Sequence, residues 1–155
     1  MCLRTGEKGV GLMRVILGVL FCAGALGVAA QVRVEGGYVR AMPPGQPTTA
    51  AYLTLVNSGD RAVEIDRGSS DIAARVEFHT HVHRDGMMSM QQLPGITVPA
   101  KGTFVFEPGV KHLMLIGLKA PLHVGDTVKL RLFSGNSEVV KAELPVRSVL
   151  SETAH

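Results

Sequence analysis

From residue 32 onward, apolar and polar positions mostly alternate with a period of two. The segments 32–41 (VRVEGGYVRA), 50–57 (AAYLTLVN), 61–66 (RAVEID), 74–82 (ARVEFHTHV), 102–108 (GTFVFEP), 112–118 (HLMLIGL), 126–133 (DTVKLRLF) and 138–146 (EVVKAELPV) are short and rich in Val, Leu, Phe and Thr. Side chains of these types, alternating between two faces, suit β-strands. Turn clusters separate the segments: Asn57-Ser58-Gly59-Asp60, Glu107-Pro108-Gly109, Val124-Gly125-Asp126 and Ser134-Gly135-Asn136. No stretch of helical length carries a 3.6-residue apolar stripe. Roughly seven to nine strands at intervals of about ten residues predict a single all-β domain, an antiparallel β-sandwich. Residues 41–49 (AMPPGQPTT) hold three prolines and are expected as a loop or edge crossing. The tail SVLSETAH is expected to fray.

The first 30 residues do not share this alternation. Arg4, Lys8 and Arg14 give a basic start, residues 15–28 form an unbroken run of apolar and small residues, and Val28-Ala29-Ala30 offers a small-residue cleavage site before Gln31. Residues 1–30 are therefore expected to be a secretory signal peptide, with residues 31–155 the exported domain. The compact leader that begins at Met13-Arg14 makes Met13 an alternative start. A membrane anchor is the competing reading, but spanning needs about 20 apolar residues. A lipid anchor at Cys22 is disfavoured by bulky Phe21 before it. The expected product is a soluble periplasmic protein.

Removal of the leader changes the charge. Sixteen basic residues less Arg4, Lys8 and Arg14, against thirteen acidic residues less Glu7, leave 13 and 12, a net charge of +1. The basic character of the whole chain thus gives no reason to expect nucleic acid as a partner. Both cysteines, Cys2 and Cys22, lie in the leader. The exported domain would fold without disulfides, and any soft-metal site in its oxidising compartment would be built without thiolate.

Its histidines and methionines are unevenly placed. Residues 31–155 hold six His and five Met, and eight of these eleven fall between positions 79 and 114: His79, His81, His83, Met87, Met88, Met90, His112 and Met114. Even scattering would place about three there, and core packing elsewhere uses Val and Leu. Because residues two apart share a strand face, His112 and Met114 present an imidazole beside a thioether, and His79, His81 and His83 line one face. Taken singly, each is an ordinary core or edge residue. Together they form a soft, neutral donor set suited to Cu(I).

The spacing of four of them, H-x10-M-x21-H-x-M from His79 through Met90 and His112 to Met114, resembles the signature of the PCuAC family of periplasmic copper chaperones. The surrounding segments VRAMPPGQPTTAAYLTLVNSG and PGVKHLMLIGLKAPLHVGDTVKLRLF are similar to the family as well, so the likeness runs over about residues 32–147. The resemblance implies a cupredoxin-like Greek-key β-sandwich. It also implies one Cu(I) per chain near the surface, held by His79, Met90, His112 and Met114. Delivery to the CuA-bearing subunit of cytochrome c oxidase would follow, alongside a thiol-bearing copper chaperone. Affinity would then be expected to fall below about pH 6.5, where free imidazole protonates. The four-ligand pattern does not ask for His81 and His83. They are read either as rim residues or as a weak auxiliary site for Cu(II) or Zn(II).

Other functions fit less well. A blue-copper electron carrier needs a Cys thiolate, and the exported domain has none. A hydrolase would need a G-x-S-x-G elbow, an H-E-x-x-H helix or paired carboxylates near the histidines, which the sequence lacks, so no enzyme is expected. The closest rival is a periplasmic copper buffer, a resistance protein that sequesters copper where a chaperone delivers it.

Overall fold

Alternation decides which side of each strand faces inward. In segment 127–134 every second residue (Val128, Leu130, Leu132) is buried and the residues between them are exposed. The computed structural model describes residues 31–148. The expected leader, its cleavage site, and the final residues up to His155 lie outside the described residues.

All eight expected segments form strands, and three further strands complete the set: β1 (Val32–Arg40), β2 (Thr48–Asn57), β3 (Val63–Ile65), β4 (Arg67–Ser70), β5 (Ala73–Arg84), β6 (Met87–Leu93), β7 (Ile96–Val98), β8 (Thr103–Phe106), β9 (Lys111–Leu118), β10 (Thr127–Ser134) and β11 (Ser137–Arg147). The described residues contain no helix. The fold is the expected all-β sandwich of cupredoxin type. Residues 41–47, with their prolines, form the loop between β1 and β2.

The main sheet runs β1-β11-β10-β4-β5-β9-β2, and β2 pairs back to β1, so its two layers join into a closed wall. β8 continues the sheet beside β2, β6 pairs with β5, and β3 and β7 form a separate two-stranded ladder. Closure depends on β1, which pairs antiparallel with β2 along most of its length and parallel with β11 at Val39 and Arg40. A bulge between Glu35 and Gly37 turns the strand between these partners. Gly37 has φ 144°, and a Cβ there would lie 2.7 Å from Leu53 Cβ and 2.8 Å from the Tyr52 carbonyl oxygen, so only glycine fits.

Inside the wall lies one continuous core built on Val39, Leu55, Ile65, Leu113, Leu115, Leu130 and Leu132. With no disulfide among the described residues, this apolar burial carries the stability; truncating such a side chain to Ala typically costs about 2–5 kcal/mol. The rigid core also fixes the outer face of β2, β9, β5 and β6, where the histidines and methionines collect.

Candidate metal centre

A two-residue turn sets the register of this face. Asp85 and Gly86 both adopt left-handed backbone (φ 52° and 74°), the arrangement that links adjacent strands of a twisted hairpin. The register that follows places Met90 opposite His81, Met88 opposite His83 and Gln92 opposite His79. On its other edge β5 pairs with β9, so His79 lies opposite His112 and Glu77 opposite Met114. β9 in turn sets Met114 against Ala50 of β2. Directly opposed residues share a face, so β5, β6 and β9 bring three imidazoles and two thioethers to one patch beside β2.

Burial separates these residues from ordinary surface groups. In β9 the alternation fails at one point: His112 and Leu113 are both buried, and His112 is only 4% exposed although it faces away from the core. Three polar residues are classed as buried among the described residues. Thr49 donates to the Arg40 carbonyl oxygen (2.6 Å) and Asn57 to that of Arg61 (2.7 Å). His112 differs, because its Nδ1 is buried without a hydrogen-bond partner, and so are Nδ1 of His79 and of His81. The three rings lie together, with centroids 5.7 Å apart for His79–His112 and 5.2 Å for His81–His112. A buried nitrogen left unpaired is unfavourable by about 1–3 kcal/mol unless something binds it. Three such nitrogens in one patch are the mark of a ligand site.

His81 and His112 border a cleft of about 200 Å³ whose wall also includes Met90, Met114, Tyr52, Arg40 and Met42, and His79 lies outside that wall. Two other clefts, of about 250 and 280 Å³, are lined without any histidine. Among the described residues, no group of three or more His, Cys, Asp or Glu is placed to hold a metal ion by itself. The soft donors in the cleft wall are the imidazoles of His81 and His112 and the thioethers of Met90 and Met114.

Protonation favours the same chemistry. Burial lowers the His112 pKa from 6.5 to about 4, helped by the neighbouring His81, His79 and Arg40 charges. His112 therefore stays neutral well below pH 6.5, so the expected fall in affinity near that pH would not come from this ring. His79 is oriented differently. Its Nε2 lies 3.0 Å from Glu77 Oε2, and a carboxylate accepts, so a neutral His79 donates through Nε2 and leaves the buried Nδ1 as the free electron pair. Carboxylates hold metal-binding histidines in this way. Arg75 in turn lies 3.6 Å from Glu77 Oε1.

Of the four residues that the spacing singles out, Met90, His112 and Met114 line the cleft. His81, read as a rim or auxiliary residue, sits in the cleft wall, whereas His79 stacks on His112 beside it. His83 stays exposed near the hairpin tip. His123 lies elsewhere, 3.7 Å from Asp126. Sequence reasoning missed Glu77, Tyr52 and Arg40. The period of two pointed to Glu77, which shares a face with His79. In β2, buried Ala51, Tyr52 and Leu53 run together, a break in alternation that marks Tyr52 as covered from outside.

Comparisons with known proteins agree with this geometry. The family model described as LpqE-like matches residues 32–146. A relative in Leifsonia xyli subsp. xyli, whose name calls it a lipoprotein, is 30% identical over 142 residues, covering 86% of this chain and 84% of that one. The solution structure of Cu(I)-bound DR1885 from Deinococcus radiodurans is 36% identical and superposes with a TM-score of 0.61, covering 81% of this chain and 83% of that one. The copper-bound PCuAC domain from PmoF2 has a TM-score of 0.62 at 21% identity, covering 76% and 93%. That likeness shows the shared fold.

Proposed function

The chain belongs to the LpqE-like family, which is of the PCuAC type, and on that premise we propose that it is an exported copper chaperone that holds one Cu(I) in the cleft between β2, β9, β5 and β6. The ligands are His79 through Nδ1, Met90, His112 and Met114. The cleft wall that joins His81 and His112, each with a buried and unpartnered Nδ1, to Met90 and Met114, with His79 stacked on His112, carries this reading. The copper-bound relatives support it. So does the lipoprotein name of the Leifsonia relative, which supports export.

The copper is cargo. Four neutral ligands suit a closed-shell soft ion, and without a thiolate they provide no couple tuned for electron transfer. On this reading the protein carries the ion and performs no reaction on it. Met90 is 53% exposed, which leaves one ligand open to replacement by an incoming donor. Transfer then follows the difference in affinity between the two proteins. The acceptor we propose is the CuA-bearing subunit of cytochrome c oxidase in the periplasm, with a thiol-bearing copper chaperone acting beside this protein.

Mixing the Cu(I)-loaded protein with the reduced apo CuA domain tests delivery. Copper is expected to leave the chaperone and appear on the acceptor by mass spectrometry. If it stays while the acceptor binds free Cu(I) more tightly, the protein is a copper buffer.

A further inference from the structure

Two His–Met pairs lie along one face of the β5–β6 hairpin: His81 opposite Met90, and His83 opposite Met88 nearer the tip. The His81 N–H donates to the Val110 carbonyl oxygen at 2.9 Å, on the side of β5 away from β6. His81 and Met90 are therefore a pair without mutual main-chain bonds, and alternation along the ladder gives His83 and Met88 the same character. In such pairs the Cα atoms lie about 4.5 Å apart and the side chains meet. Each pair sets an imidazole against a thioether.

Exposure falls along this line. Met88 is 59% exposed and Met90 53%, whereas His112 at the inner end is 4% exposed. Large apolar side chains this exposed add nothing to the core, and a hairpin tip in a stable sandwich has no need of them. Their position in line with the cleft gives them a use.

We propose that His83 and Met88 form an outer Cu(I) site, from which the ion passes by ligand exchange to His81 and Met90 in the cleft wall and then to His112 and Met114. The inference rests on the copper reading of the cleft above. Two donors hold Cu(I) more weakly than four, so an ion captured at the tip moves inward. The step is an exchange of ligands with no change of oxidation state, and the imidazole–thioether pair selects a soft monovalent ion over Zn(II).

The test is an anaerobic Cu(I) titration of the full chain labelled at methionine methyl groups, followed by NMR. The first equivalent is expected to shift the Met90 and Met114 methyl signals, and a second, weaker one those of Met88 and the His83 ring. A His83→Ala, Met88→Leu variant, altered only at exposed positions, should keep the first response and lose the second. It should also load the cleft from a Cu(I)–chelator complex severalfold more slowly. If the first equivalent binds but Met88 and His83 never respond, respond to Zn(II) instead, or can be replaced without slowing loading, the outer site does not exist. If the first equivalent leaves Met90 and Met114 unmoved, the copper reading of the cleft fails, and the outer site fails with it.

Discussion

His81 faces Met90 across the β5–β6 ladder, and its ring lies 5.2 Å from that of His112. His79, the imidazole that the motif spacing selects, lies 5.7 Å from the same ring. One buried histidine therefore has two imidazole neighbours, and a four-coordinate ion with two sulfur ligands needs only one of them.

The hydrogen bond to Glu77 favours His79 as that ligand, with His81 acting in transfer. His79→Ala is expected to weaken Cu(I) binding by at least about tenfold, in line with loss of a metal ligand or its support. His81→Ala should leave the equilibrium nearly unchanged and slow the release of copper to a chelator. Competition titrations and stopped-flow transfer with both variants check this; the opposite ranking would assign the ligand role to His81.

Glu77 should act through His79. Glu77→Leu removes the acceptor for Nε2–H and lets the ring take the tautomer that protonates Nδ1, so Cu(I) affinity should fall by roughly 10–100-fold. Glu77→Gln keeps an acceptor oxygen and should restore most of the affinity. Ring nitrogen NMR of the apo protein provides a readout independent of metal: Nε2–H should dominate for His79 in the wild type and lose that dominance in the Leu variant.

These residues show how far the sequence could be read. The alternation in β10 and β9 identified the core face directly, because each inward residue is Val or Leu. The spacing singled out His79, Met90, His112 and Met114, three of which line the cleft. β6 was missed because all but one of its residues are exposed; it is a strand through its pairing across the Asp85-Gly86 turn, and burial leaves no imprint on its pattern. Closure of the sheet by the parallel β1–β11 pair was equally illegible, since it joins the two ends of the domain. The position of His81 depends on how four strands align, which a period of two within one strand cannot report.

Burial of neutral His112 makes the apo protein sensitive to acid. With the pKa lowered from 6.5 to about 4, the unfolded chain binds a proton between these values that the native chain refuses. Stability therefore rises with pH across the window and falls as pH drops from 6.5 towards 4, by at most about 3 kcal/mol. Urea unfolding of the apo protein at several pH values should show this slope, and a His112→Leu variant should flatten it. Bound Cu(I) should flatten it as well, since the ion holds the neutral form.

Copper K-edge X-ray absorption of the Cu(I)-loaded protein tests the central claim most directly. The account predicts a mixed shell of about two nitrogen and two sulfur neighbours. In a Met90→Leu, Met114→Leu variant, which conserves volume and should keep the fold, the sulfur contribution should disappear and the affinity collapse. A shell of nitrogen alone in the wild type, or unchanged Cu(I) binding in the variant, would contradict a site built from imidazole and thioether.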